Sequence, residues 1–218
     1  MIFLFVGFFT ISIYQPADGS FNFKWLFYLL LVICIVAFLF QDKKVPIKLK
    51  LLSIAGFIYI SLSLGLMISF YDKSSMHFHD TGLVIAYGFF FPALIIASLW
   101  VNDTMAYIVG SLIGKTQMSK ISPKKTWEGT IGGIVITIVV ASLIAWLLDL
   151  KIVALAITSA IAAIAGTFGD LLESKLKRMA NVKDSGRIMP GHGGFLDRFD
   201  SLLIATPFVW LYVQLFMQ

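Results

Sequence analysis

Long apolar segments limit what this chain can fold into more than any other feature of its sequence. Five of them, nearly free of charged residues, span 23–40, 51–70, 129–149, 152–172 and 199–217. A helix rises about 1.5 Å per residue, so each segment is long enough to cross a hydrocarbon core about 30 Å thick. With 59% hydrophobic and 13% charged residues, the chain also lies far from the composition of a soluble domain. We therefore expect an all-α, polytopic membrane protein.

Two further segments set the expected number of spans. Residues 1–14 are apolar and are expected to form a membrane helix, shortened at its start, because no small-residue cleavage pattern follows them. Pro92 is expected to break the segment between Thr81 and Gly114 into two parts, 82–91 and 93–113. The sequence thus predicts six to eight spans within one integral membrane domain, 1–218, without a long linker or an internal repeat.

The basic residues predict the orientation of the helices. Fourteen of the 17 Lys and Arg residues lie in three loops, at 43–50, 115–125 and 175–198. Cytoplasmic loops carry an excess of these residues, so all three loops are expected on the cytoplasmic side. The net charge of +5 is then a consequence of topology and does not indicate a nucleic-acid partner.

One carboxylate, Asp103, falls inside an apolar helix. A charged residue at that depth is costly and is a functional hypothesis by default. At helical spacing, Asp103, Tyr107 and Gly110 share one face, which would line a cavity. The alternative is a cluster of hydrogen bonds between helices, and the residues alone leave both open.

The loop that enters the segment 129–149 is rich in polar groups. Its hydroxyl, ammonium and carboxylate groups suggest a phosphate site, and they belong to Ser122, Lys124, Lys125, Thr126 and Glu128. An ordinary structural interpretation is equally available. Thr126 would then cap a helix, the lysines would follow the charge rule of cytoplasmic loops, and Trp127 would anchor the interface.

The end of the segment 152–172 carries a second polar cluster. Asp170, Glu173, Ser174 and Lys177 are three or four residues apart, so they project from one side of a helix. Alone, they could be a surface charge cluster at a helix end.

A glycine-rich segment follows, from Lys183 to Ser201, directly before the last apolar run. Its Gly191, His192, Gly193 and Gly194 would let backbone amides approach a phosphate closely. Asp197 and Asp200 lie on one side of the helix start, and a divalent cation such as Mg²⁺ would offset their repulsion. The alternative makes Asp197 an N-cap and Asp200 a first-turn acid, which leaves the glycines unexplained.

Several motifs in the second half of the chain together resemble those of the phosphatidate cytidylyltransferase family. They are Trp100-x-x-Asp103-Thr-x-Ala-Tyr107, Ser122-Pro-Lys-Lys-Thr-Trp-Glu-Gly129, Gly169-Asp-Leu-Leu-Glu-Ser174, Ser174-Lys-Leu-Lys-Arg178, Lys183-Asp184 and Pro190-Gly-His-Gly-Gly-Phe-Leu-Asp-Arg-Phe-Asp200. The resemblance covers residues 93–218, the expected catalytic part, and leaves 1–92 as N-terminal helices. Asn102 stands where that family usually has a serine.

The resemblance implies a reaction of CTP with phosphatidate that gives CDP-diacylglycerol and pyrophosphate. It also implies Mg²⁺, a possible second cation, a homodimer, and an active site on the cytoplasmic side of a bacterial inner membrane. By motif position, Asp170, Asp197 and Asp200 would be metal ligands, and Asp103 would be a further acid of the same cavity. Phosphate groups would be bound by basic and polar residues, with Asp184 beside them, and these are Ser122, Lys124, Lys125, Thr126, Lys177, Arg178, Lys183 and Arg198.

Two other functions fit parts of the pattern. A CTP-dependent lipid kinase of the polyprenol type would also be embedded in the membrane, but it would need a base for its alcohol substrate. A cation-coupled transporter would keep a carboxylate such as Asp103 in mid-membrane. Most of the acids lie at one membrane face, which argues against the transporter.

Overall fold

The computed structural model describes residues 46–70, 87–119, 121–182, 185, 194 and 196–217. The predicted spans at 1–14 and 23–40 lie outside these residues. The described part contains five helices and one isolated bridge between Gln117 and Thr126. The helices are α1 (Ile47–Ser69), α2 (Tyr87–Ile113), α3 (Trp127–Leu147), α4 (Ile152–Met179) and α5 (Leu196–Phe216).

The predicted all-helical membrane fold is confirmed. Four helices, α2 to α5, are long and apolar enough to cross a bilayer, and α1 contains a shorter apolar stretch, Ile54–Ser69. The chain is an integral membrane protein. The total of six to eight spans stays a prediction, since it depends partly on residues outside the described ranges.

The predicted break at Pro92 is wrong. Helix α2 runs through it as one element of 27 residues, about 40 Å long, so residues 87–113 form a single crossing. Pro92 is the sixth residue of the helix, and its missing N–H removes one hydrogen bond, to the carbonyl of residue 88. Only about one helical turn precedes Pro92, and this short first turn can adjust to the proline ring.

Contacts between α2 and its neighbours give the helix directions. Ser98 donates to Ser159 at 3.1 Å and Asn102 donates to Thr167 at 3.3 Å, so α2 and α4 run parallel. Helix α3 runs against α2, because Gly129 lies beside Gly110 and Gly133 lies beside Asn102.

Helix α5 runs against α4 and parallel to α1. Gly169 packs on the backbone of Asp200, whereas Thr158, earlier in α4, contacts Met217 just beyond the end of α5. Ser63 donates to the carbonyl of Leu203, and Trp210 donates to Ser69 at 2.7 Å. The starts of α1, α3 and α5 and the ends of α2 and α4 therefore lie at one end of the bundle, where the sequence also concentrates its lysines and arginines.

Small residues let these helices approach closely beside the polar groups. A Cβ at Gly133 would lie 2.7 Å from the carbonyl oxygen of Asn102. A larger side chain would push α2 and α3 apart. Farther from the polar groups, an apolar cluster in the core includes the buried residues Ile95, Ala162, Ala205 and Val209.

Candidate active site

Three carboxylates meet at the junction of α4 and α5. Ligand oxygens of Asp170, Glu173 and Asp200 lie within 4.8 Å of one another. Asp170 and Glu173 are three residues apart and share a face of α4, while the close contact at Gly169 brings α5 and Asp200 against that face. We call Asp170, Glu173 and Asp200 the acidic cluster.

The acidic cluster has the properties of a cation site. Glu173 is only 4% exposed, and its Oε1 has no hydrogen-bond partner among the described residues. The Nζ of Lys177 lies 2.7 Å from Oε2 and Lys125 forms an ion pair with Asp170, so two ammonium groups face the three carboxylates. Carboxylate oxygens are the preferred ligands of hard divalent cations, so the donor set fits Mg²⁺.

Asp197, predicted as a metal ligand, lies outside the acidic cluster and is surrounded by donors. Its Oδ1 is 2.7 Å from Lys177 Nζ. Its Oδ2 accepts from the amide of Gly194 at 2.7 Å and from both the amide and the hydroxyl of Ser185 at 2.9 Å. In this arrangement Asp197 fastens the segment before α5 to the end of α4, and Lys177 stands between Asp197 and Glu173.

A pocket of about 690 Å³ opens beside the acidic cluster, between α2, α4 and the loop before α3. Asp103, Tyr107 and Gly110 all line it, as the helical spacing of their positions predicts. The pocket is also lined by polar and charged residues, which include Asn102, Ser122, Lys124, Lys125, Thr126, Thr167 and Asp170. We call this space the lysine pocket.

Asp170 connects the lysine pocket to the acidic cluster. It forms an ion pair with Lys125 across the pocket, and it accepts at 3.3 Å from the hydroxyl of Ser174 one turn later in α4. Asp170 thus belongs to both features, and any anion held by the lysines lies next to the carboxylates.

The loop that supplies the lysines is held in place by its own side chains. Thr126 caps α3 by accepting from the amide of Gly129 at 3.2 Å, so the structural interpretation of this residue is correct, although it also lines the pocket. The carboxylate of Glu128 accepts from the amides of Lys115 and Thr116 at 3.1–3.2 Å. Glu128 therefore stabilises the loop from outside the pocket.

The remaining predicted residues lie around these two features. Arg178 is exposed in the last turn of α4, and Arg198 is exposed in the first turn of α5. Gly194 is buried against Asp197. Five predicted residues lie outside the described part of the chain, namely Lys183, Asp184, Gly191, His192 and Gly193.

Two side chains beside the site were not singled out from the sequence. Tyr59 on α1 lies within electrostatic range of Asp200 and Glu173. Thr167, one turn before Asp170, accepts a hydrogen bond from Asn102 at 3.3 Å and fixes α2 against α4. A single hydroxyl group in an apolar run is a weak indication of function. Only the position of Thr167, one turn before Asp170, could have identified it from the sequence.

Comparisons with known proteins show which family the chain resembles. A family described as "Cytidylyltransferase family" matches residues 1–216. Bacillus subtilis phosphatidate cytidylyltransferase is 46% identical over 121 residues, which cover 54% of this chain and 45% of the relative.

Two further relatives carry the same name. The Synechocystis sp. protein is 42% identical over 139 residues, covering 63% of this chain and 45% of the relative. The Staphylococcus haemolyticus protein is 48% identical over 112 residues, covering 50% of this chain and 43% of the relative. The matched part spans a little under half the length of these curated relatives. The family match nevertheless extends over nearly the whole chain, well beyond the motifs at 93–218. The chain belongs to the cytidylyltransferase family.

Proposed function

We propose that this chain is a phosphatidate cytidylyltransferase that converts CTP and phosphatidate into CDP-diacylglycerol and pyrophosphate. The observation that carries the proposal is the shared position of Asp170, which belongs both to the acidic cluster and to the lysine pocket. A cation site next to an anion site, at one end of a membrane bundle, suits the reaction of a nucleoside triphosphate with a lipid phosphate. The relatives named above support the choice of nucleotide and lipid.

The acidic cluster would hold Mg²⁺ through Asp170, Glu173 and Asp200. Bound there, the ion would neutralise phosphate oxygens and hold the α-phosphate of CTP for attack. The partnerless Glu173 Oε1 supports this assignment, because a buried carboxylate oxygen is costly unless a cation or donor satisfies it. Lys177 lies 2.7 Å from both Glu173 and Asp197, so its ammonium group already supplies positive charge between these two carboxylates.

The lysine pocket would take the triphosphate. Lys125 lies beside Asp170, and the exposed Lys124 precedes it in the same loop. Both ammonium groups can therefore neutralise charge on the departing pyrophosphate. Ser122 and Thr126 add hydroxyl groups at the rim. Arg178, at the end of α4, and Arg198, at the start of α5, would attract the anionic substrates.

The reaction needs no proton acceptor. An ionised oxygen of the phosphatidate phosphate attacks the α-phosphorus of CTP, and a new P–O bond forms as the bond to the β-phosphate oxygen breaks. The leaving pyrophosphate takes the electron pair. Because the nucleophile is already ionised at neutral pH, no residue of the site has to act as a general base.

The assembly and location follow from the same proposal. We place the site on the cytoplasmic side of a bacterial inner membrane, since the basic loops lie at the end of the bundle that carries the site. We also propose that the protein forms a homodimer.

Transfer of label from CTP tests the reaction type. The full chain in detergent would be incubated with Mg²⁺, with either phosphatidate or a polyprenol as the acceptor, and with CTP labelled at either the α- or the γ-phosphorus. We expect the α-label in the lipid and the γ-label in pyrophosphate. A γ-label in the lipid fraction, from a polyprenol as acceptor, would instead identify the lipid kinase, and absence of both lipid products would refute the proposal.

A further inference from the structure

Tyr59 is a polar residue of α1 whose position is set by a regular contact with α5. Ser63 bonds to the carbonyl of Leu203, and Thr206 and Trp210 follow beside Met67 and Ser69. The two helices are therefore in parallel register over two turns.

The same register places Tyr59 beside the acidic cluster. Tyr59 is one turn before Ser63, on the same face, and its carbonyl accepts from the Ser63 hydroxyl at 2.9 Å. One turn before Leu203 on α5 are Phe199 and Asp200. Both Asp200 and Glu173 act electrostatically on the Tyr59 phenol, which is only half-buried.

The phenol is available to a ligand. Among the residues that the structure describes, its hydroxyl has no hydrogen-bond partner. A phenolic O–H beside carboxylates can donate to an anionic oxygen that a cation brings to the same place.

Tyr59 and the lysine pocket reach different members of the acidic cluster. The residues of the pocket come from α2, α3, α4 and the loop before α3, and Asp170 is the member of the cluster among them. Tyr59 approaches from α1, which packs mainly on α5, and it lies within electrostatic range of the other two members.

In-line displacement assigns a substrate to each side. The attacking oxygen and the leaving oxygen lie on opposite sides of the phosphorus that is transferred. If the pyrophosphate leaves toward Lys124 and Lys125, the attacking phosphate approaches from away from those lysines, and the side of α1 suits that approach. That side also offers exposed apolar residues for acyl chains, with Ile58 48% and Leu62 42% exposed on α1.

We propose, on the basis of the function proposed above, that Tyr59 is a positioning residue for the lipid substrate and donates a hydrogen bond to the phosphate of phosphatidate. The nucleotide lies in the lysine pocket, and the lipid enters between α1 and the acidic cluster. Tyr59 thereby distinguishes the two phosphates that meet at the cation.

The variant Tyr59→Phe tests this assignment, because it removes one hydroxyl and keeps the ring. The full chain would be assayed in mixed micelles, with the mole fraction of phosphatidate and the concentration of CTP varied separately. A lost hydrogen bond to a charged group predicts an increase of roughly tenfold or more in the KM for phosphatidate. The KM for CTP should stay within twofold of the original value.

Tyr212→Phe is the matched control. Tyr212 stacks on Phe216 at the far end of α5, with 5.5 Å between ring centroids, so the same change there should alter neither KM. A rise in the KM for CTP, or no change in either KM for Tyr59→Phe, would overturn the inference while leaving the proposed function intact. If the original chain forms no CDP-diacylglycerol, the proposed function and this inference fail together.

Discussion

Gly169 on α4 lies directly against the backbone of Asp200 on α5, so that a Cβ at position 169 would be 2.7 Å from the carbonyl oxygen of Asp200. That contact sets the distance between the two helices that carry the acidic cluster. We expect Gly169→Ala to force α5 away from α4, destabilise the protein by about 1–3 kcal/mol through overpacking, and lower activity at least tenfold. Thermal unfolding in detergent and turnover, measured on one preparation, would test both effects.

Gly56→Ala is the control for that change. A Cβ at Gly56 would meet no atom within 4 Å, and alanine favours a helix over glycine by up to about 1 kcal/mol. We expect equal or slightly higher stability and unchanged turnover. If Gly169→Ala behaves like Gly56→Ala, the two helices do not depend on this close contact.

Lys125→Met should remove the ion pair with Asp170 and one positive charge from the lysine pocket. The loss of one preorganised group that stabilises developing charge predicts a fall of roughly 10²–10³ in kcat. Lys115→Met, in the same loop but outside the pocket lining, controls for the net charge of the loop. Equal effects of the two substitutions on kcat would show that Lys125 acts only through that net charge.

Glu173→Gln should weaken the cation site. Removing one carboxylate from the acidic cluster relieves repulsion when no cation is bound, so the melting temperature without Mg²⁺ should be unchanged or higher. The increase in melting temperature on adding Mg²⁺ should shrink, and the Mg²⁺ concentration for half-maximal activity should rise about tenfold or more.

Asp149→Asn is the matched control for that experiment. Asp149 follows α3 at the other end of the bundle and has φ of 54°, a conformation that asparagine also tolerates. We expect the same response to Mg²⁺ as in the original chain. An unchanged Mg²⁺ response in Glu173→Gln as well would remove Glu173 from the cation site.

Asp197→Asn tests whether Asp197 only holds the segment before α5 against α4 or also binds the cation. The substitution removes the charge that pairs with Lys177 at 2.7 Å, so we expect a loss of about 1–3 kcal/mol in stability and reduced turnover. If Asp197 only fastens the segment before α5, the half-saturating Mg²⁺ concentration stays as in the original chain. A rise as large as that in Glu173→Gln would instead make Asp197 a cation ligand.

The membrane class and most helices were predictable because each depends on a local property. Hydropathy over about 20 residues reports burial in lipid, and the observed helices follow the predicted apolar runs from residue 51 onward. Pro92 was misjudged because the cost of a proline depends on its distance from the helix start. The residue at which a helix starts is hard to predict within a continuous apolar run.

The site was predictable in its residue types but not in its pairings. The helical spacing of Asp170 and Glu173 placed them together, yet the position of Asp200 depends on how closely α4 and α5 pack. Whether Asp197 joins the acidic cluster or pairs with Lys177 depends on side-chain directions that the sequence does not give. Tyr59 joins the site through the register between α1 and α5, which are far apart in the chain.

Locating the divalent cation tests the central claim most directly. Crystals of the full chain grown with Mn²⁺ in place of Mg²⁺ would show the ion by its anomalous scattering. The account predicts a peak roughly 2.0–2.3 Å from carboxylate oxygens of Asp170, Glu173 and Asp200. A peak that touches none of these three residues, at an Mn²⁺ concentration that supports cytidylyl transfer, would contradict it.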